Sequence, residues 1–462
     1  METLINDRFI KIIKETNQLF LFYLLLLALG YASYRMNPYQ PIFIIILGFL
    51  IYWMIRKVLI FPHKYLFIAF FTLGLTLRIL YVVLVPTVPF SDFEYYHINA
   101  LSLSQNIPVV SKNFGFVSIL SLGYRIYPDI ITGKIINLIA SFTSLLLVYE
   151  LGKQLFNKSI GVVSLFLFSI SINEINMISV IGTEIIAECL LLFSLLFVIL
   201  SVKTKKINKK RIFLLFTGIS FGFGFSVRSS VVFFALLLFI ILMFFLKNKK
   251  TGYLLVLTGL FLSFTILTAY FSIINGDFSL KYLTTQDSFP ILSGTNFDSD
   301  GRWSIQDANL YFSWPSENRD TQAKQEAFRR VVDDPIGFMN LVIRKYYRLL
   351  ASNDYGNDWS LQNAEWKDNK FYNYLKLYGL QINSLLSQSI YIIIIFFAFI
   401  GSKSKKQFSL NIIFLFCSIF CLSIPHIILE VQPRYHHFLI PLLIPFAGSG
   451  ICEVKNKFRK EN

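Results

Sequence analysis

The sequence predicts an all-α polytopic membrane protein, with about twelve transmembrane helices and one long polar segment on its outer face. Three observations predict it. Of the 462 residues, 55% are hydrophobic and only 15% are charged, and the mean hydropathy is +0.59. That is too little charge to cover a soluble protein of this length. Apolar runs close to the length of a bilayer crossing recur along the whole chain. They are continuous, which excludes the alternating pattern of a transmembrane barrel. The Lys and Arg residues behind the net charge of +16 cluster in short loops between these runs. Such clustering is the positive-inside pattern, so the basic balance reads as topology and not as a nucleic-acid partner.

The elements follow in order. A basic N-terminus with Arg8, Lys11 and Lys14 precedes runs at 19–35 and 41–60. No small-residue cleavage site follows the first run, so it is expected to be a retained anchor. Residues 1–64 form an expected N-terminal hairpin. Residues 65–274 form the membrane core, with runs at 65–88, 129–151, 159–174, 177–202, 212–226, 229–246 and 252–274. Between the first two of these lies a polar stretch, 89–128. Residues 275–385 form the long outer segment, too long for a passive connection. The final region, 386–462, holds runs at 386–401, 408–429 and 435–453 and a basic tail. With the N-terminus in the cytoplasm, every basic loop falls inside and both long polar stretches fall outside.

Within the outer segment, 292–303 is dense in turn formers. Asp334-Pro335 then predicts a helix start, with Asp as N-cap and Pro at the first position. That helix, 335–350, groups Phe338, Val342, Tyr346 and Leu349 on one side, flanked by Arg344, Lys345 and Arg348. It is expected either to lie flat on the outer leaflet or to pack within a small outer domain.

The four cysteines, Cys189, Cys417, Cys421 and Cys452, all fall within apolar runs. They form neither a disulfide framework nor a CxxC metal pair. Cys417 and Cys421 are four apart on one helix and read as packing.

The carboxylates carry the functional signal. Ser91-Asp92-Phe93-Glu94-Tyr95-Tyr96 stands where the third run leaves the membrane. Ser91-x-x-Glu94 fits a capping box that opens a helix through Gln105. Asp92 would sit in its first turn, held where the helix dipole favours the ionised form, as a general base requires. Glu94 is better explained by the cap. Glu184 and Glu188 are four apart inside a run and share a helix face. A charge there costs about 2.5–3.5 kcal/mol on insertion scales, so it is expected to face a cavity or, for the deeper Glu188, to be protonated. Glu184 also admits a helix-packing role. Arg228 and Arg434 lie at outer span ends, where the positive-inside rule does not place them. They read either as paired donors for phosphate or as headgroup contacts. The adjacent His436 and His437 point different ways and make a poor metal pair. No ligand cluster demands a metal: no cofactor is required, and a divalent metal is compatible with the sequence but not indicated by it.

In this order the motifs resemble the membrane glycosyltransferases of the GT-C class. The likeness is to the bacterial branch related to protein O-mannosyltransferases and the aminoarabinose transferase of lipid A (glycosyltransferase family 39-like). It rests on Ser91-Asp92-Phe93-Glu94-Tyr95-Tyr96, Gly182-Thr183-Glu184, Gly294-Thr295-Asn296 through Gly301-Arg302-Trp303, Asp334-Pro335, and Arg434-Tyr435 ahead of Pro441 and Pro445. It covers 65–450. The acidic loop here follows the third run and not the first, so the hairpin 1–64 is an addition. The resemblance implies a polyprenyl-phosphate sugar donor, used at the outer face of a bacterial cytoplasmic membrane by a multi-pass protein with both termini inside. Membrane lipid and an envelope glycan, lipid or protein acceptor are the other expected partners. It implies inverting displacement with Asp92 as base and Arg228 and Arg434 on the departing phosphate. Glu94, Tyr96, Glu184, Arg302 and Tyr435 are carried over as substrate contacts. A polysaccharide polymerase or ligase is a competing reading, because it shares many spans and outer arginines. So is a non-enzymatic flippase of lipid-linked sugars, although no internal repeat supports it.

Overall fold

A computed structural model describes residues 7–36, 39–276, 287–365, 370–404 and 409–460. Its elements are helical, and the β-type pairing among the described residues is an isolated bridge between Thr87 and Ala364. Helices α1 (Asp7–Tyr31) and α2 (Gln40–Val58) form the N-terminal hairpin. The core runs through α3 (His63–Leu84), α4 (Asp92–Ser104), α5 (Phe114–Tyr124), α6 (Ile130–Leu155), α7 (Lys158–Ser169), α8 (Ile172–Met177), α9 (Glu184–Lys203), α10 (Ile207–Val227), α11 (Ala235–Phe245) and α12 (Lys249–Asn275). The long polar segment folds as α13 (Phe289–Gly294), α14 (Ile305–Ser313), α15 (Arg319–Asp333), α16 (Pro335–Leu350) and α17 (Tyr355–Leu361). The chain closes with α18 (Lys370–Tyr374), α19 (Leu380–Ser402), α20 (Ser409–Ser423) and α21 (Leu439–Lys460).

Each of the twelve apolar runs coincides with a helix. Among the described residues, nine helices are long and apolar enough to cross a membrane. The run 159–174 departs from a simple span. Its helix α7 has twelve residues, about 18 Å at 1.5 Å per residue, against about 30 Å of hydrocarbon. The short α8 follows it inside the bundle, with Asn173, Glu174 and Asn176 all buried. The expected polar stretch 89–128 also hides α5, an apolar helix packed against α4 and α10. At the other boundary, the helix that includes α19 starts near Tyr372, ahead of the apolar run at 386.

The hairpin packs on the C-terminal helices. Asn17 donates to the Ile412 carbonyl at 3.0 Å, Gln40 to that of Leu385 at 3.2 Å, and Gln388 returns a bond to Ala28 at 3.1 Å. These polar contacts sit in an apolar surrounding, where an unmade backbone bond is costly.

The helix 335–350 forms as predicted. The Asp334 carboxylate accepts from the Gly337 N–H at 2.8 Å, and Pro335 stands at its first position. One side of it packs within the folded segment, while Ile336, Met339 and Ile343 stay exposed on another. Arg344 and Arg348 both pair with Asp300, at 2.8 Å each. Lys345, expected on the flank, is instead buried. Its ammonium donates to the Gly294 and Ile427 carbonyls at 2.6 and 2.9 Å. Burial pulls its pKa down to about 7, only partly offset by Glu430. The four cysteines are free, and Cys417 and Cys421 are buried as packing residues.

Candidate active site

Asp92 opens α4, and the chain reaches it through a braced approach. The Val88 N–H donates to the Asn363 carbonyl and the Glu365 N–H to that of Pro86, each at 3.0 Å. The Thr87 hydroxyl bonds Ser360 and Ser179 at 2.9 and 3.0 Å. Phe90 stacks on Trp359 at 5.2 Å. The predicted helix forms, but the capping box does not. Ser91 has φ 54° and ψ −130° and makes no side-chain cap bond. Such a positive-φ backbone costs a non-glycine residue on the order of 1–3 kcal/mol. Glu94, freed of the capping role, is exposed.

Arg434 comes from a short 3-10 turn, Pro433–His436, just before α21. Its guanidinium lies 4.8 Å from the Trp359 ring centre, 5.5 Å from Phe93 and 5.8 Å from Tyr435. One Nη2 donates to Asp92 Oδ2 at 3.1 Å. The two partners differ in setting: the Arg434 side chain is 8% exposed and that of Asp92 60%. The buried Arg434 Nε has no hydrogen-bond partner. Burial opposes the charge on Arg434, but Tyr435, Glu184 and Asp92 outweigh it and hold its pKa above the usual arginine range. Tyr435 donates to Glu430 at 3.2 Å, and burial pushes that carboxyl up.

Arg228 enters from the end of α10. It donates to Thr183 Oγ1 at 2.7 Å and Glu184 Oε1 at 2.8 Å, and its guanidinium lies 5.5 Å from the Tyr435 ring centre. The Tyr435 ring therefore touches both arginines. Glu184 is buried, with Oε2 unpartnered. Gly182 lets this corner close: a Cβ there would fall 2.6 Å from Glu184 Oε2 and 2.8 Å from the Phe93 ring. Tyr96 packs edge-on against Phe116 at 5.4 Å, and its hydroxyl accepts from Asn113 at 2.6 Å.

The structure thus brings Asp92, Tyr96, Glu184, Arg228, Arg434 and Tyr435 to one place. The helix-packing reading of Glu184 is refined, since it is the ion-pair partner of Arg228. Arg302 stays apart: it is exposed and donates to the Ser299 carbonyl of its own loop at 3.1 Å. Three contributors were not singled out in the sequence. Trp359 lay in the polar segment with no motif around it. Arg78 sat unmarked within a run; it is fully buried and donates to Ser141 and to the Gly74, Phe168 and Ser169 carbonyls. Glu174, also unmarked, meets Glu188 and His437 below the site, with one ligand-type atom from each within 4.8 Å of the others. The two histidines do diverge as expected: His436 bonds Leu349 and Asn353 instead. On the far side of α17, Asp354, Asn357 and Asp358 line a cavity of about 620 Å3 with Tyr31 and Ser384.

The family described as dolichyl-phosphate-mannose-protein mannosyltransferase matches residues 111–272. The resemblance to the GT-C class is borne out. The GT-C match includes Glu184 and Arg228; Asp92 and Arg434 lie on either side of it. No curated protein matches the chain. Among solved structures, the Archaeoglobus fulgidus oligosaccharyltransferase tethered to an acceptor peptide is 13% identical, covering 86% of this chain and 50% of that one at a TM-score of 0.48. The same organism's oligosaccharyltransferase AglB, in complex with an inhibitory peptide and a dolichol-phosphate, is 12% identical, covering 86% and 51% at a TM-score of 0.46. The chain spans about half the length of these archaeal proteins. The similarity to a GT-C-class glycosyltransferase family is therefore carried by residues 111–272, about a third of this multi-pass membrane chain.

Proposed function

We propose that the chain moves a sugar from a polyprenyl-phosphate donor to an acceptor hydroxyl at the outer face of a bacterial cytoplasmic membrane. Both termini lie inside. The observation that supports this is the pairing of an accessible carboxylate, Asp92, with a buried arginine, Arg434, which has an unused donor beside a second arginine. Asp92 takes the proton of the acceptor hydroxyl, and the hydroxyl oxygen attacks the anomeric carbon. The bond to the donor phosphate breaks, and its charge settles against Arg434 and Arg228. A single displacement inverts the anomeric centre. A polyprenyl phosphate leaves without prior protonation, so no general acid is required, and the positive charge in this step comes from the two arginines. Tyr96 and Tyr435 present aromatic faces to the sugar, and Glu184 fixes Arg228. Glu94, exposed in the first turn of α4 beside Asp92, lies on the approach of the acceptor.

The test is transfer of radiolabelled sugar from a polyprenyl-phosphate pool in membranes, comparing wild type with Asp92→Asn at equal expression. Loss of a general base lowers the rate about 100-fold or more. Equal transfer by both proteins would remove Asp92 from the mechanism. Absence of transfer with wild type, for any such donor, would favour the polymerase or ligase reading. Movement of labelled lipid into vesicles without transfer would favour a flippase.

A further inference from the structure

Directly beneath this site, two carboxylates and an imidazole are packed together, and the nearby cation, Arg78, makes no hydrogen bond to either carboxylate among the described contacts. Glu174 of α8, Glu188 of α9 and His437 are each 1% exposed or less. His437 Nε2 lies 3.0 Å from Glu188 Oε2 and 3.4 Å from Glu174 Oε2. Despite these distances, His437 Nε2, Glu188 Oε2 and both Glu174 carboxylate oxygens have no hydrogen-bond partner. Three acceptor-type atoms thus face one another at close range, and two ionised carboxylates have no proton to share. Ligands converging on a common centre have this geometry. Tetrahedral zinc, with oxygen and nitrogen ligands at about 2.0–2.1 Å, sets neighbouring ligand atoms about 3.3 Å apart.

The surroundings complete the pattern. Tyr355 bonds His437 Nδ1 at 2.8 Å, which fixes the ring and leaves Nε2 free to ligate, as outer partners of metal-bound histidines do. Arg78 is the nearby cation, but its described hydrogen bonds go to Ser141 and three carbonyls and not to these carboxylates. Two carboxylates in a low-dielectric setting require a cation or a proton. A divalent ion balances their charge in full.

We propose that Glu174, Glu188 and His437 form a site for one divalent cation of the zinc type. Glu188 lies one turn beyond Glu184 on α9, and His437 lies three residues beyond Arg434. The ion would therefore tie together the two elements that carry Arg434 and the Glu184–Arg228 pair. It is a positioning site, outside the reacting groups, and its occupancy does not depend on the transfer reading.

The test is metal content by mass spectrometry of the full chain, purified in detergent on a tag without histidines. Wild type and Asp92→Asn are expected to hold about one zinc per chain. Glu188→Gln and His437→Gln are expected to retain less than about a tenth of that. Should those variants fail to fold, wild type stripped with chelator and reloaded with cobalt(II) decides the matter. Visible d–d bands of a four-coordinate centre, together with a rise in melting temperature on adding Zn2+, support the site. A folded, stripped wild type that takes up neither ion overturns it and assigns the cluster to a proton shared between the carboxyls. So does zinc that remains at full stoichiometry in His437→Gln.

Discussion

Arg434 is both tightly held and left with an unused donor. Its guanidinium is held flat among Trp359, Phe93 and Tyr435, where a planar cation gains from ring faces while keeping donors at its edge. A lysine keeps the charge but loses the plane and the fork of donors. Arg434→Lys is therefore expected to lower sugar transfer about 10-fold or more at unchanged expression, as measured with the labelled donor. Transfer at the wild-type level would mean that charge alone suffices. At this scale, the sequence marked Asp92 by its place at a helix start and Arg228 and Arg434 by their places at span ends, and the structure brings the three together. It did not reveal their partners. Trp359 stands 75 positions before Arg434 in a stretch with no periodicity, and nothing local marks a ring as a cation's neighbour. Glu174 was hidden because a short buried helix looks like the end of an apolar run.

At the scale of elements, the polar segment is pinned to the bundle by backbone contact. Gly294, at the end of α13, has its Cα against the chain before Arg434. A Cβ there would fall 2.0 Å from the Ile428 carbonyl oxygen and 2.4 Å from the Leu429 carbonyl carbon. Backbone atoms cannot swing aside as a side-chain tip can. Gly294→Ala is expected to cost about 1–3 kcal/mol and to lower the melting temperature in detergent, with earlier proteolysis of the polar segment. An unchanged melt would mean that the contact relaxes freely. The Asp334-Pro335 start was legible because cap chemistry is local. The Ser91–Glu94 box was not, because the fold bends the backbone at Ser91 into a region that sequence does not specify. The apolar helix α5 was missed because it is half the length of a span and adjoins polar loops.

For the whole molecule, the twelve-run pattern was legible because the bilayer imposes length and charge rules that act on every span. How the spans pack was not, since lipid-facing and buried apolar residues read alike. Lys345 couples the polar segment to the bundle by bridging the Gly294 and Ile427 carbonyls. Its folded pKa of about 7 lies below the ordinary lysine value. Between those values the unfolded chain binds the extra proton, so stability rises with pH from about 7 to about 10. Melting at pH 7 and pH 9.5 is expected to show this gain in wild type and a smaller one in Lys345→Met; equal gains would assign it elsewhere. The contact between Asp92 and Arg434 spans 342 positions of sequence. During synthesis, then, Asp92 has no Arg434 beside it while the spans around it enter the bilayer. The pairing closes only when the stretch after Arg434 inserts and brings its arginine to a carboxylate that entered 342 residues earlier.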